Sequence, residues 1–90
     1  MTTAETTLDQ EKAAAFGGRM MEMISSGMLM AMTRIGHELK LFEQMAAMPP
    51  STSEEIAAAA GLNERYVREW LATLAAGRMV EYQPDGQRFF

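Results

Sequence analysis

Few side chains in this chain invite a chemical reading. They are a lone histidine, His37, the adjacent carboxylates Glu54-Glu55, a single tryptophan, Trp70, and a dense run of methionines between Met20 and Met32. An imidazole titrates near neutral pH, so His37 is the natural candidate for a general base. A base must lie within reach of its proton, however, and no motif sets Glu38 or Glu43 to orient the ring. His37 is therefore read as a helix residue near a bend. Glu54 and Glu55 diverge by about 100° on a helix, so they do not converge as an acid/base pair. At a helix start they meet the positive end of the dipole, which makes them capping and solubility residues. Trp70 reads as a core anchor rather than a stacking platform. No residue is assigned a catalytic, cofactor-binding or metal-binding role. The absence of cysteine removes disulfides and thiolate metal sites, and fits a reducing, cytoplasmic setting.

The methionine run is the remaining feature. Met20, Met21, Met23, Ile24, Met28, Leu29, Met30, Met32 and Ile35 cover more than one helical face. A helix that is apolar nearly all round is buried on several sides. A methionine-rich surface can also reshape around ligands, but so much apolar breadth calls first for a protein partner. The expected homodimer interface is Met20, Met21, Ile24, Met28, Met32 and Ile35.

The elements that position these residues are organised around Ser51–Phe90, with Leu62–Leu71 at its centre. Tyr66, Val67, Trp70, Leu71, Leu74 and Ala75 recur at helical spacing. With Ile56 added, Tyr66, Val67, Trp70, Leu71 and Leu74 are the expected core. Asn63 is the N-cap of this helix, and Gly77 is expected to end it in the left-handed conformation. Thr52 and Glu55 form a capping box that opens a helix over Ser53–Ala60, stopped by Gly61. Strands are expected over Met79–Gln83 and Gln87–Phe90, joined by a turn at Pro84-Asp85-Gly86. Helix, turn, helix and β-hairpin make a winged helix-turn-helix unit over residues 51–90.

Upstream, residues 1–7 lack periodicity and read as a flexible tail. Residues 8–48 form an N-terminal helical arm. Its segments, Leu8–Phe16, Arg19–Ser26 and Met28–Lys40, are separated by Gly17-Gly18 and weakly by Gly27, as one bent helix or two. Gly36 is expected to bend the path. A short helix over Leu41–Met48 stops at Pro49-Pro50. The fold class is mostly α: a winged helix-turn-helix with an apolar N-terminal arm and a short C-terminal hairpin.

Ninety residues make one small domain that buries only about 60–65% of its unfolded surface, so a covering partner is favoured. The net charge of −4 argues against a protein that wraps nucleic acid. The polar, acidic start is no secretory signal, and Met20–Met32, interrupted by Glu22 and two serines, falls short of a membrane span.

Three stretches together carry a family resemblance: Ile35-Gly36-His37-Glu38-Leu39-Lys40-Leu41-Phe42, Pro49–Ala57 and Asn63–Leu71. The chain resembles the N-terminal winged-helix dimerisation domain of bacterial class I S-adenosylmethionine-dependent methyltransferases, over roughly Phe16–Phe90. The resemblance implies a domain that pairs subunits and roofs the substrate cavity. It also implies a following Rossmann-like domain that binds S-adenosylmethionine and supplies any histidine base. The chain's end at Phe89-Phe90 fits a larger protein of that kind. A donor site needs a glycine-rich loop after a strand and a later ribose-binding carboxylate. Gly17-Gly18 lies among helix formers instead, so no residue is assigned to the donor.

Two rival classes are a small DNA-binding regulator and a stand-alone protein-interaction module. A DNA-reading helix offers unpaired cations to phosphates and base edges. Here Glu64 with Arg68, and Arg65 with Glu69, are spaced to pair along one helix face. Arg78 and Arg88 are the surplus cations nearby, too few for a phosphate footprint. DNA is not the expected partner.

Overall fold

The computed structural model describes the backbone over residues 3–90 and side chains from residue 9 onward. Four helices precede a hairpin: α1 (Thr3–Glu38), α2 (Leu41–Ala46), α3 (Ser53–Ala60), α4 (Glu64–Ala76), β1 (Tyr82–Gln83) and β2 (Arg88–Phe89). The chain is mostly helical with a two-stranded antiparallel hairpin at its C-terminus, the arrangement of a winged helix.

Local chemistry sets the helix-turn-helix. Thr52 Oγ1 accepts a hydrogen bond from the Glu55 backbone N–H at 3.2 Å, and the Thr52 N–H donates to Glu55 Oε1 at 3.0 Å. That reciprocal box satisfies two orphan donors at the start of α3. Gly61 closes α3 at φ 69°, and the Leu62 N–H reaches back to the Ala57 carbonyl at 2.9 Å. Asn63 Oδ1 then accepts from the Arg65 N–H at 2.9 Å and opens α4. The Ser53 hydroxyl donates to Glu64 Oε2 at 2.6 Å, tying the starts of α3 and α4 together.

The far end of α4 differs from the expectation. Gly77 is not left-handed; its φ is −83°, and the left-handed residue is Arg78 at φ 61°. The Met79 N–H still closes the helix on the Leu74 carbonyl at 2.8 Å. Gly77 has a different role, because a Cβ there would lie 2.7 Å from both Leu29 Cδ1 and Leu29 Cδ2. It is small so that α1 can approach. This closure also occupies Met79, and Val80 is buried, so the first strand is shorter than the expected Met79–Gln83.

The hairpin pairs Tyr82 with Phe89 and Gln83 with Arg88. Glu81 and Phe90 exchange backbone hydrogen bonds of 2.7 and 3.0 Å. On its other edge β2 bridges Ser51, whose N–H and carbonyl bond the Phe89 backbone at 3.1 and 2.8 Å. The wing is thereby stitched to the segment that enters α3.

The core comprises Leu41, Ile56, Ala57, Val67, Trp70, Leu71, Leu74 and Val80. Tyr66 is a correction: it is 69% exposed. Tyr66 precedes Val67 by one helical step, which turns its side chain about 100° away from the buried Val67.

In α1 the helical ladder runs through Gly17, Gly18, Gly27 and Gly36 without a break. Each glycine weakens a helix by only about 1 kcal/mol, and its amide still donates. Helical backbone from Thr3 also replaces most of the tail expected over residues 1–7; residues 1 and 2 lie outside the described residues. The chain turns later, at Lys40 with φ 59°. α2 ends at Ala46, two residues short of the expected Met48. Gly36 is a notch rather than a bend. It is buried, and a Cβ there would overlap Trp70 Cζ2 and come within 2.8 Å of the Phe42 ring. Trp70 Nε1 donates to the Met32 carbonyl at 2.8 Å, and its ring packs on Phe42 with centroids 5.2 Å apart.

Two glycines of α1 thus predict opposite effects. Gly36→Ala forces Trp70 or Phe42 from its place and is expected to lower unfolding stability by about 1–3 kcal/mol. Gly17→Ala, with open space around it, is expected to raise helix stability by about 1 kcal/mol or less. Urea unfolding of both variants, followed by tryptophan emission and helical circular dichroism, checks the pair of signs.

The capping box carries a pH signature. The Thr52 backbone and side-chain hydrogen bonds, helped by the charge of Arg88, hold the Glu55 carboxyl below the usual range. A depressed folded pKa gives stability that is present above the unfolded pKa and is lost as pH falls through the folded value. Wild type should therefore exceed Glu55→Gln in melting temperature at neutral pH. The gap should close in acid, at a pH below the usual glutamate range; a gap independent of pH would contradict this.

Candidate functional site

Two surfaces remain once the core is accounted for: the free part of α1 and the outer face of the helix-turn-helix. The molecule measures 62 × 29 × 19 Å, and its long dimension is that of α1, about 54 Å for 36 residues. Only the C-terminal part of α1 is docked. Leu29 meets Gly77, Met32 packs against the core, and Gly36 receives Trp70. From Asp9 to Met28 every residue of α1 is exposed.

The residues expected at a subunit interface separate accordingly. Met20, Met21, Ile24, Met28 and Ile35 are exposed. Met32 is a correction, because it is half-buried against the winged unit and so faces inward. Phe16, Met23 and Met30 belong to the same exposed apolar surface. Arg19 lies over the Phe16 ring, 5.7 Å from its centroid. Phe16 escaped the sequence reading because Gly17-Gly18 made the helix look interrupted after it.

The outer face of α4 is charged but matched. Arg65 Nε lies 3.5 Å from Glu69 Oε1, and Arg68 Nε lies 3.8 Å from Glu64 Oε2. Both pairs are loose, and all but Glu64 among their side chains are largely exposed, so each is worth only a few tenths of a kcal/mol. Their consequence is electrostatic: the helix face carries little net charge. Glu54 and Glu55 stand exposed at the start of α3 beside it. Between α3, α4 and the wing lies an open groove of about 460 Å³ lined by Thr52, Ser53, Glu54, Arg68, Tyr82 and Gln87. Arg88 is close enough to Glu55 to act on its carboxyl.

A second groove, about 330 Å³, lies between the end of α1 and the start of α4. Ile35, Leu39, Leu62, Tyr66 and Trp70 line it, with Asn63 and Glu69 at its polar edge. The exposed Tyr66 ring forms part of this wall, a place that the helical spacing of the apolar residues did not reveal. His37 is exposed and does not line this groove.

Ile56, Val67, Trp70, Leu71 and Leu74 are buried together and form the platform under both grooves. Among the described residues no three or more His, Asp or Glu side chains gather as a metal site, and no helix is long and apolar enough to cross a membrane.

No curated protein matches the chain. The family model described as the Rv2258c-like winged HTH domain matches residues 27–90. That match takes in the docked end of α1, the helix-turn-helix and the wing. By this match, covering well over half of its length, the chain belongs to the Rv2258c-like winged HTH domain family.

Proposed function

We propose that this winged-helix chain serves to pair subunits, and that it does so as the N-terminal dimerisation and substrate-lid domain of an S-adenosylmethionine-dependent methyltransferase. The observation that carries the pairing role is the exposed apolar surface of α1. Phe16, Met21, Met23, Ile24, Met28 and Met30 each leave half or more of their area in water. At about 25 cal/mol per Å² of apolar surface removed from water, covering such a surface is strongly favourable.

The methyltransferase part of the proposal rests on the resemblance of the Ile35–Phe42, Pro49–Ala57 and Asn63–Leu71 stretches to that enzyme class. The apolar groove between α1 and α4 supports the lid role, since an apolar wall with a few polar groups suits a small organic acceptor. No residue of this chain is assigned to the methyl donor or to catalysis. In the proposal both belong to a Rossmann-like domain following this one.

The second reading, a DNA-binding regulator, is favoured by the helix-turn-helix itself, which matches a winged HTH family. The matched charges of α4 and the acidic start of α3 weigh against it. DNA affinity rests on neutralised phosphates and falls steeply with salt.

Sedimentation and gel shift separate the two. A dimer at micromolar concentration, with no salt-sensitive binding to mixed duplex DNA, is the expected result. A monomer that binds duplex DNA, and loses that binding when Arg65 and Arg68 become alanine, would establish the regulator instead. Calorimetric titration of this chain with S-adenosylmethionine is expected to show no saturable binding; one-to-one uptake would show that a donor site lies within these residues.

A further inference from the structure

Single apolar side chains on a surface need no explanation, but three exposed ones border the groove between α1 and α4. Ile35 and Leu39 form one wall at the end of α1, where the Leu39 N–H closes on the Ile35 carbonyl at 2.9 Å. Tyr66 forms the facing wall from α4, and the buried Val67 and Trp70 make the floor. That floor is preset. Trp70 Nε1 is committed to the Met32 carbonyl, and its ring is held by Gly36 and Phe42. A molecule in the groove therefore meets the indole as an apolar and π surface rather than as a donor. With a volume of about 330 Å³, the groove stands at the small end of the range for organic ligands, room for one or two rings.

Charge decides what kind of molecule fits. Among the described residues that line the groove, Glu69 alone carries a charge; Lys40 and Arg65, each beside a lining residue in sequence, are not in its wall. Glu69 lies three residues from Tyr66, so its carboxylate and the phenol ring share one face of α4. Its ion partner, Arg65 Nε, stands 3.5 Å away, beyond ordinary hydrogen-bond length. We propose that this groove binds a small aromatic amine in its protonated form. The ring lies over Trp70 between Leu39 and Tyr66, and the ammonium donates to the Glu69 carboxylate. The inference rests on the lid reading for a small organic molecule at this groove, and deepens it by naming that molecule's class and charge. An ammonium beside Tyr66 also gains from the negative face of its ring. A carboxylate in the same place is repelled by Glu69, and the net charge of −4 adds to the repulsion. A purely apolar molecule would desolvate Glu69 without pairing it.

Trp70 is the single tryptophan, so its emission reports on the floor of the groove directly. Three probes of similar shape and different charge are titrated into the full chain: phenethylamine, phenethyl alcohol and phenylpropanoate. Phenethylamine should bind about five-fold or more tightly than the alcohol, with phenylpropanoate the weakest. Glu69→Gln should abolish the preference for the amine and leave the alcohol unchanged, whereas Leu39→Ala should weaken every probe. Both residues are exposed, so unchanged thermal unfolding verifies that the variants fold. No response of Trp70 to any probe overturns the site, while the pairing role stands. Equal binding of amine and alcohol, or tighter binding of phenylpropanoate, overturns the amine class and leaves the groove as a neutral lid wall. An amine preference that survives Glu69→Gln, or full binding in Leu39→Ala, overturns the placement of the ligand.

Discussion

The contact on which this architecture depends is the seating of Trp70 against Gly36. One indole joins three elements: its ring meets the glycine notch of α1, its face packs on Phe42 of α2, and its root is in α4. Its N–H reaches the Met32 carbonyl, so burying the ring leaves no orphan donor. Leu29 against Gly77 repeats the same device one contact further along. Two missing side chains thus let a long helix lie against α4 at close range. A methyl group at Gly36 would displace Trp70 or Phe42, and one at Gly77 would displace the end of the Leu29 side chain.

That docking has a consequence for the rest of α1. Fixing Leu29 to Gly36 against α4 sets the rotation of the whole helix, because an unbroken helix transmits orientation along its length. The face carrying Phe16, Met20, Met23 and Met30 is turned away from the winged unit by the same contact that holds Gly36 inward. A small domain of this kind has little core to spend on ordering a projecting arm. In the proposed dimer a second copy covers the free face of the arm, which would couple folding of the arm to association. The helix-turn-helix face, with its matched charges, has no comparable unsatisfied surface.

Much of the winged unit was legible because its signals are local. Thr52 with Glu55, Gly61 and Asn63 each act within a few residues, and their hydrogen bonds stand where capping chemistry puts them. The errors fall where a distant neighbour decides. Gly36 and Gly77 carry the composition of a bend and of a left-handed stop, yet both are shaped by side chains far away in sequence. Tyr66 has the spacing of a core residue but borders an open groove. Met32 has the type of an interface residue but packs inward. Gly17, Gly18 and Gly27 do not interrupt α1, since propensity alone is a weak force beside a continuous backbone ladder. Of the candidate surface, the apolar excess was readable, whereas its division into a docked face and a free one required the rotation of α1.

The central claim is that the free half of α1 is covered by a second copy. Amide hydrogen exchange measured across a dilution series tests it most directly, because a covered arm is protected only while the partner is present. The account predicts that amides between Met20 and Met28 lose protection as the protein is diluted, while those of α3 and α4 keep theirs. Protection of the arm that does not change with concentration would contradict it.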